Sequence, residues 1–257
     1  FDRNKNQTNE NPTRIGAALD MSQNIVMSHV KVGPYPYVKG APDSEAYNRS
    51  LSEISAEVEA NNFDIFISIH SNAASEGSAT NYPLFLYRGS DAKDEVPGSK
   101  ELATHIWPYT FSNEHQTWSY YSMTQPNVRG DWDFYGSHSP NAAGFDGYLG
   151  VLKHGAMGFL VEGYFHTYQP ARHRAQNDDV CRHEGHLYAR GLIDYMGWKT
   201  ETTGEIYGIV RDLHEKFSDP LYTPAARTND VYKPLNGVTV KLLQNGKEVK
   251  TYKTDNE

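Results

Sequence analysis

The stretch FDIFISIH, residues 63–70, decides the fold class of this 257-residue chain. It is a nearly continuous run of apolar and β-branched residues, which is typical of a strand that is covered on both faces of a sheet. Other patterns alternate along the chain, strand-like at 24–30, 82–87 and 158–161, and helix-like at 51–58, 100–107 and 178–196. Strands that alternate with helices predict an α/β fold, with a mostly parallel or mixed sheet and helices on both faces. Pro108 predicts the end of the second helix.

The pattern changes after Trp198. Segments 205–211 and 238–243 predict strands, and QNGK at 244–247 predicts a hairpin turn that leads into a strand at 248–254. We therefore expect two domains, an α/β domain at 1–200 and a β-sandwich segment at 204–257. The second segment is short for a β-sandwich, which usually needs about 100 residues, so we expect only part of one.

Composition excludes several classes of protein. A formal charge of −8 and a pI near 5.8 argue against binding to nucleic acid. A single cysteine, Cys181, excludes an internal disulfide framework, so any transition metal would be bound by imidazole and carboxylate. No apolar run approaches the roughly 18 residues of a membrane-spanning helix. The chain opens on Phe1 rather than Met, which we interpret as a processed or trimmed piece.

Two polar residues follow predicted buried strands. His70 ends the run at 63–69, and Glu162 follows the run GFLV at 158–161. Ligands of open α/β sheets bind beyond the carboxyl ends of the strands, so both residues are expected at that edge. A histidine and a glutamate there are typical of a metal ligand beside a general base. Each also has a structural interpretation, His70 as a residue that caps a strand and Glu162 as the partner of Arg129 or Arg172.

Four stretches resemble a known family. DIFISIHSNA at 64–73 resembles the metal-binding segment of zinc-dependent N-acetylmuramoyl-L-alanine amidases, which hydrolyse peptidoglycan. YLGVLKHGAMGFLVEGYFHTYQPARHR at 148–174 is similar to the segment that carries the catalytic glutamate of that family. FDRN at 1–4 and FSNEHQTWSYYSMTQPNVRGD at 111–131 resemble its Bacteroidetes-type members. The resemblance covers roughly residues 1–198.

The resemblance implies an α/β sheet with helices on both sides, a Zn²⁺ ion held by His, Glu and His, and a second glutamate that acts in catalysis. His70 corresponds to the later zinc-binding histidine and Glu162 to the catalytic carboxylate. Glu10, at the start of a helix-like run, is the candidate for the glutamate ligand, with a solvated glutamate of a first helical turn as the alternative. The family's first histidine ligand lies in a Gly-His-Gly turn after its first strand. Residues 1–9 contain no histidine, so we expect the N-terminal strand of the fold to be missing from this chain.

Three further residues are candidates for substrate binding, namely Asn72, His166 and Arg129. His166 lies four residues after Glu162, where it could orient a substrate or polarise a carbonyl; a surface histidine is the alternative. Arg129 begins an Arg-Gly-Asp tripeptide, a pattern too common to indicate adhesion by itself.

These expectations combine into one function. We expect a secreted or periplasmic amidase, in which a zinc-activated water cleaves the amide between N-acetylmuramic acid and L-alanine, with peptidoglycan or a muropeptide as substrate. Residues 204–257 resemble the start of a carboxypeptidase-regulatory-like β-sandwich, and we expect them to contribute nothing to the active site.

Two alternatives stay open. One is a non-catalytic wall-binding or surface module that retained the fold and lost the metal, which the missing first histidine favours. The other is a zinc carboxypeptidase, although the His-x-x-Glu ligand pair of such enzymes is not found in the sequence.

Overall fold

The computed structural model describes residues 51–75, 78–111, 125–136, 147–175, 177–198, 206–218, 224 and 228–254. The strand expected at 24–30 and the candidate ligand Glu10 lie outside the described residues. Across the described ranges, no helix has the length and apolar character needed to span a bilayer.

A four-stranded mixed sheet forms the centre of the α/β part. Its strands, in spatial order, are β1 (Ile65–Asn72), β6 (Met157–Phe165), β2 (Leu84–Tyr87) and β5 (Val128–Gly130). The β1–β6 and β2–β5 pairs are parallel, whereas β2 runs antiparallel to β6. A short hairpin lies beyond β2, formed by β3 (Gly89–Ser90) and β4 (Lys93–Asp94). The predicted α/β class with a mixed sheet is confirmed.

Helices cover both faces of this sheet. They are α1 (Leu51–Ala60), α2 (Ser99–Thr110), α3 (Asp131–Tyr135), α4 (Gln169–Arg174), α5 (Asp178–Tyr195) and a 3₁₀ turn at Gly150–Leu152. Because strand side chains alternate between faces, Phe159 and Val161 of β6 pack in one cluster with α2 and α5. Leu160 packs in the other cluster, with the 3₁₀ turn and part of α1 and α3.

The prediction that the second helix ends at Pro108 is wrong. The helix runs from Ser99 to Thr110, with Pro108 inside it. A proline in a helix interior costs about 3 kcal/mol. Ile106, Trp107 and Phe111 are all buried in the core around this proline, and each such burial contributes about 1.5–3 kcal/mol. Core packing therefore outweighs the local cost of the proline.

Both site strands extend further than the sequence predicts. β1 continues to Asn72 and β6 continues to Phe165, so His70 and Glu162 lie inside strands rather than directly after them. The His166 N–H donates to the Asn72 carbonyl at 2.9 Å, which extends the contact between the strands past their last apolar residues.

The C-terminal residues form two separate two-stranded sheets. β7 (Arg211–Lys216) pairs with β8 (Tyr232–Pro234), and β9 (Thr239–Gln244) pairs with β10 (Lys247–Lys253). The predicted turn is confirmed, since Asn245 and Gly246 have φ angles of 54° and 77°, as a tight hairpin requires.

The strand predicted at 205–211 is wrong, because the described residues 206–210 form no strand and β7 begins only at Arg211. Arg211 pairs with Pro234. The Leu235 N–H still donates to the Val210 carbonyl at 2.9 Å, so one backbone hydrogen bond continues past this pair.

Candidate active site

His70 and Glu162 lie opposite each other on neighbouring strands. They are register partners in the parallel β1–β6 pair, and Ser68 and Leu160 are the partners two residues earlier. Strands in a sheet lie about 4.8 Å apart, and paired residues project to the same face. The two side chains that the sequence singled out are therefore brought together on one face of the sheet, the face of Leu160.

Gly158 fixes this register. It pairs with Phe66, and a Cβ atom built on Gly158 would lie 2.0 Å from the Phe66 carbonyl oxygen. No side chain fits in that space, so only glycine allows the strands to approach here. The same pairing, continued four residues along both strands, sets His70 opposite Glu162.

The Glu162 side chain is half-buried, and its Oε2 atom is removed from solvent. On its other side, β2 contributes Leu84 as its register partner. Among the described residues, no hydrogen-bond donor reaches the buried Glu162 Oε2. Burial raises the pKa of Glu162 to about 7, because the charged form loses hydration. A carboxyl group with this pKa can both accept and return a proton near neutral pH.

The His70 side chain is exposed, and Ser68 Oγ lies 2.9 Å from its Nε2 atom. The surrounding protein nevertheless removes part of its hydration, and this desolvation lowers the pKa of His70. The neutral imidazole, which is the form that binds metals, is thereby favoured. A metal could use Nδ1 without displacing Ser68.

Asn72 and His166 lie at the same end of the sheet, where several hydrogen bonds join the chain after β1 to the chain after β6. Besides the His166 N–H bond to the Asn72 carbonyl, Ser71 Oγ lies 3.1 Å from His166 Nδ1. The Ala74 N–H donates to Thr167 Oγ1 at 2.9 Å. Asn72 Oδ1 accepts the N–H of the next residue, Ala73, at 2.8 Å. These bonds hold both polar residues beside the His70–Glu162 pair.

Arg129 is not brought to this end. Its Nε donates to Asp91 Oδ2 at 2.7 Å. Leu86 is the register partner of both Arg129 and Leu160, so Arg129 lies two strands, or about 10 Å, from β6. Along the strands, Arg129 is level with Leu160, which lies two residues before Glu162 on β6.

Asp131, the third residue of the Arg-Gly-Asp tripeptide, is fully buried at 0 % exposure. Its carboxylate accepts the backbone N–H groups of Gly89, Tyr148 and Leu149 at 3.0, 2.9 and 3.1 Å. The tripeptide is therefore part of the scaffold, since a buried aspartate is out of reach of an adhesion receptor.

Two stacked tyrosines near Glu162 were not predicted from the sequence. The rings of Tyr135 and Tyr148 stack with centroids 3.8 Å apart and an interplanar angle of 21°. The pKa of Tyr135 is raised to about 12, first by burial and then by the negative charges of Glu162, Tyr148 and Asp131. The phenol thus lies within electrostatic reach of the Glu162 carboxylate. No local sequence pattern indicates this proximity of Tyr135 to Glu162, because the proximity depends on how α3 packs on the sheet.

The donors at this site fit one side of a metal centre. His70 supplies an imidazole held in its neutral form, and Glu162 supplies a buried oxygen with no donor from the described residues. The described parts of the chain contain no cluster of three or more His, Cys, Asp or Glu side chains that could hold a metal. Of the two metal ligands that the sequence predicts, His70 and Glu10, only His70 lies among the described residues.

Comparison with known proteins yields structural neighbours only. No family model matches the chain, and no curated protein sequence matches it. Solved structures with a similar arrangement are N-acetylmuramoyl-L-alanine amidases.

The amidase from Clostridium difficile 630 is 19 % identical, with a TM-score of 0.43 over 59 % of this chain and 68 % of the other. The catalytic domain of CwlV from Bacillus (Paenibacillus) polymyxa var. colistinus is 16 % identical, with a TM-score of 0.43 over 59 % and 68 %. CwlD from Clostridioides difficile, solved in complex with the GerS lipoprotein, is 15 % identical, with a TM-score of 0.47 over 71 % and 83 %. At these values the function has to be argued from the residues of the site.

Proposed function

We propose that this chain hydrolyses the amide bond between N-acetylmuramic acid and L-alanine in peptidoglycan. One observation carries the proposal: Glu162, with a pKa of about 7, is the register partner of His70. The two segments that resemble the amidase family are also the ones that form β1 and β6. A general base beside a neutral imidazole on one sheet face is the arrangement that amide hydrolysis by an activated water needs.

Glu162 carries the proton transfers. Its carboxylate takes a proton from the attacking water as the new C–O bond forms, and the protonated carboxyl returns it to the departing amine of L-alanine as the C–N bond breaks. A positioned acid–base group of this kind contributes roughly 10²–10⁴-fold to the rate. In the protein without metal, burial raises the pKa of Glu162 to about 7, which favours return of the proton to the amine. A bound zinc ion would lower this pKa and favour the carboxylate that accepts the proton from water.

His70 and Glu10 would be two of the three protein ligands of a zinc ion; the first histidine that the resemblance implies is not among residues 1–9. Zinc, when bound, polarises the scissile carbonyl and lowers the pKa of its bound water from 15.7 to about 7. Ser68 contributes by fixing one ring nitrogen of His70.

Asn72 and His166, on the chain segments that follow His70 and Glu162, are the residues that we assign to substrate orientation. Arg129 could join them only by leaving Asp91 and by binding a part of the substrate that reaches across two strands. We further propose a secreted or periplasmic location, because peptidoglycan lies outside the cytoplasmic membrane.

Product analysis tests this function against its alternatives. Purified muropeptides are incubated with the protein before and after removal of metal by a chelator, and again after zinc is restored, and the products are identified by mass spectrometry. We expect release of the whole stem peptide with a free L-alanine amine, only with zinc present. Release of a single C-terminal residue would indicate a carboxypeptidase, and binding without any product would indicate a wall-binding module.

A further inference from the structure

A buried carboxylate joins the C-terminal residues to the α/β part. Asp230 is 2 % exposed. Its oxygens accept hydrogen bonds from Arg174 Nη1 at 2.6 Å, from Arg211 Nη2 at 2.9 Å and from the Tyr168 hydroxyl at 2.9 Å. A buried charge is tolerated only where such partners compensate for its lost hydration. The cluster is therefore a specific contact rather than a chance approach of surface groups.

The partners of Asp230 come from two distant parts of the chain. Arg174 ends α4 and Tyr168 directly precedes it, whereas Arg211 begins β7 in the C-terminal part. A second contact joins the same parts, since the Tyr207 ring stacks on His183 of α5 at a centroid distance of 4.4 Å and an angle of 7°. The C-terminal part is thus attached to both helices that follow β6.

Tyr168 connects this cluster to the candidate active site. It is fully buried and packs with Phe165, the last residue of β6. The residue before it, Thr167, accepts the Ala74 N–H, and the His166 N–H donates to the Asn72 carbonyl. The turn that carries these bonds lies between Glu162 on β6 and the Asp230 cluster.

We propose that Asp230 is a positioning residue, which holds the C-terminal part against α4 and thereby fixes the turn that joins the ends of β1 and β6. Its consequence for catalysis rests on the proposed function, whereas the mechanical coupling does not. The proposal departs from the expectation that residues 204–257 contribute nothing to the active site.

Hydrogen exchange on the full chain tests the coupling without any substrate. Asp230→Asn keeps the size of the side chain and removes its charge. We expect the amides of 71–75 and 165–168 to exchange roughly tenfold faster than in the parent, because the bonds between these segments open more often. Glu215→Gln is the matched control, since it weakens an exposed ion pair of the same part, with Lys233 at 3.2 Å; it should leave both segments at the parent rate.

Two results would overturn the proposal. One is faster exchange in the C-terminal part alone, with 71–75 and 165–168 unchanged. The other is an equal acceleration of the central strand β2, because a role in overall stability would affect every part of the sheet.

If Asp230→Asn does not fold, Tyr168→Phe decides the question. It removes one hydroxyl group and leaves both ion pairs of Asp230 in place. We expect the Ala74 and His166 amides to exchange severalfold faster in this variant. Exchange within twofold of the parent would overturn the proposal. Where hydrolysis is established, a KM or kcat change in Asp230→Asn but not in Glu215→Gln would support it further.

Discussion

Gly158→Ala tests whether one glycine sets the register of the site. The new Cβ atom would lie 2.0 Å from the Phe66 carbonyl oxygen and 2.9 Å from its carbonyl carbon. An ordinary contact needs about 3.4 Å, so β1 and β6 would have to separate by more than 1 Å over a spacing of about 4.8 Å. Such a separation breaks ladder hydrogen bonds that contribute about 1 kcal/mol each and strains the packing by about 1–3 kcal/mol.

We therefore expect Gly158→Ala to lower the free energy of unfolding by about 3 kcal/mol or more, and the melting temperature by roughly 6–12 °C. Urea and thermal unfolding measure both quantities. The matched control is Gly185→Ala on the long helix α5, where a Cβ atom meets nothing within 4 Å; it should stabilise the protein by about 0.5–1 kcal/mol. A Gly158→Ala variant within about 0.5 kcal/mol of the parent would refute the close approach of the two strands.

Two further predictions concern buried carboxylates. The pKa of Glu162 is about 7 in the folded protein against an ordinary 4.5, so between these values the folded state holds a proton that the unfolded state has lost, and the free energy of unfolding falls as pH rises. In metal-free protein, Glu162→Gln should remove this pH dependence. After allowance for partial solvent screening, its free energy of unfolding should exceed that of the parent by about 1–2 kcal/mol at pH 8 and by less at pH 5. Urea titrations at both pH values measure the difference, and an equal difference at both would contradict the prediction. Asp131→Ala leaves three backbone N–H donors without their acceptor, so we expect the free energy of unfolding to fall by about 3 kcal/mol or more. Thermal unfolding measures this change, and a melting temperature that decreases by less than about 2 °C would contradict the prediction.

The parts of the fold that depend on local composition could be predicted. The apolar run of β6 is buried on both faces and is visible in the sequence. The run of β1 is equally visible, but β1 is the outer strand of the described sheet, and only Ile65, Phe66 and Ile67 pack against the two cores, while Ile69 is 51 % exposed. The hairpin turn is equally local, since Asn245 and Gly246 adopt the positive φ angles that their residue types favour. His70 and Glu162 could be paired in advance for the same reason, as each lies near the carboxyl end of such a run.

The parts that depend on distant contacts could not be predicted. The antiparallel direction of β2 is set by how its connections pack, and the helix continues through Pro108 because the core around Trp107 stabilises it. The partners of Asp230 lie 19, 56 and 62 residues away along the chain. No local pattern of residue types indicates an interaction over such separations.

The central claim is that Glu162 is the general base of an amide hydrolysis, and a pair of matched variants tests it most directly. Glu184 is the control, because burial also raises its pKa to about 7, yet it lies on the opposite face of the sheet, beside Gly163 and bonded to Tyr188. Turnover of muropeptide and bound zinc are measured for Glu162→Gln and Glu184→Gln. We predict that Glu162→Gln keeps its zinc and loses about 10²-fold or more in turnover, whereas Glu184→Gln turns over near the parent rate per folded molecule. A folded, zinc-loaded Glu162→Gln protein that cleaves muropeptide at the parent rate would contradict the claim.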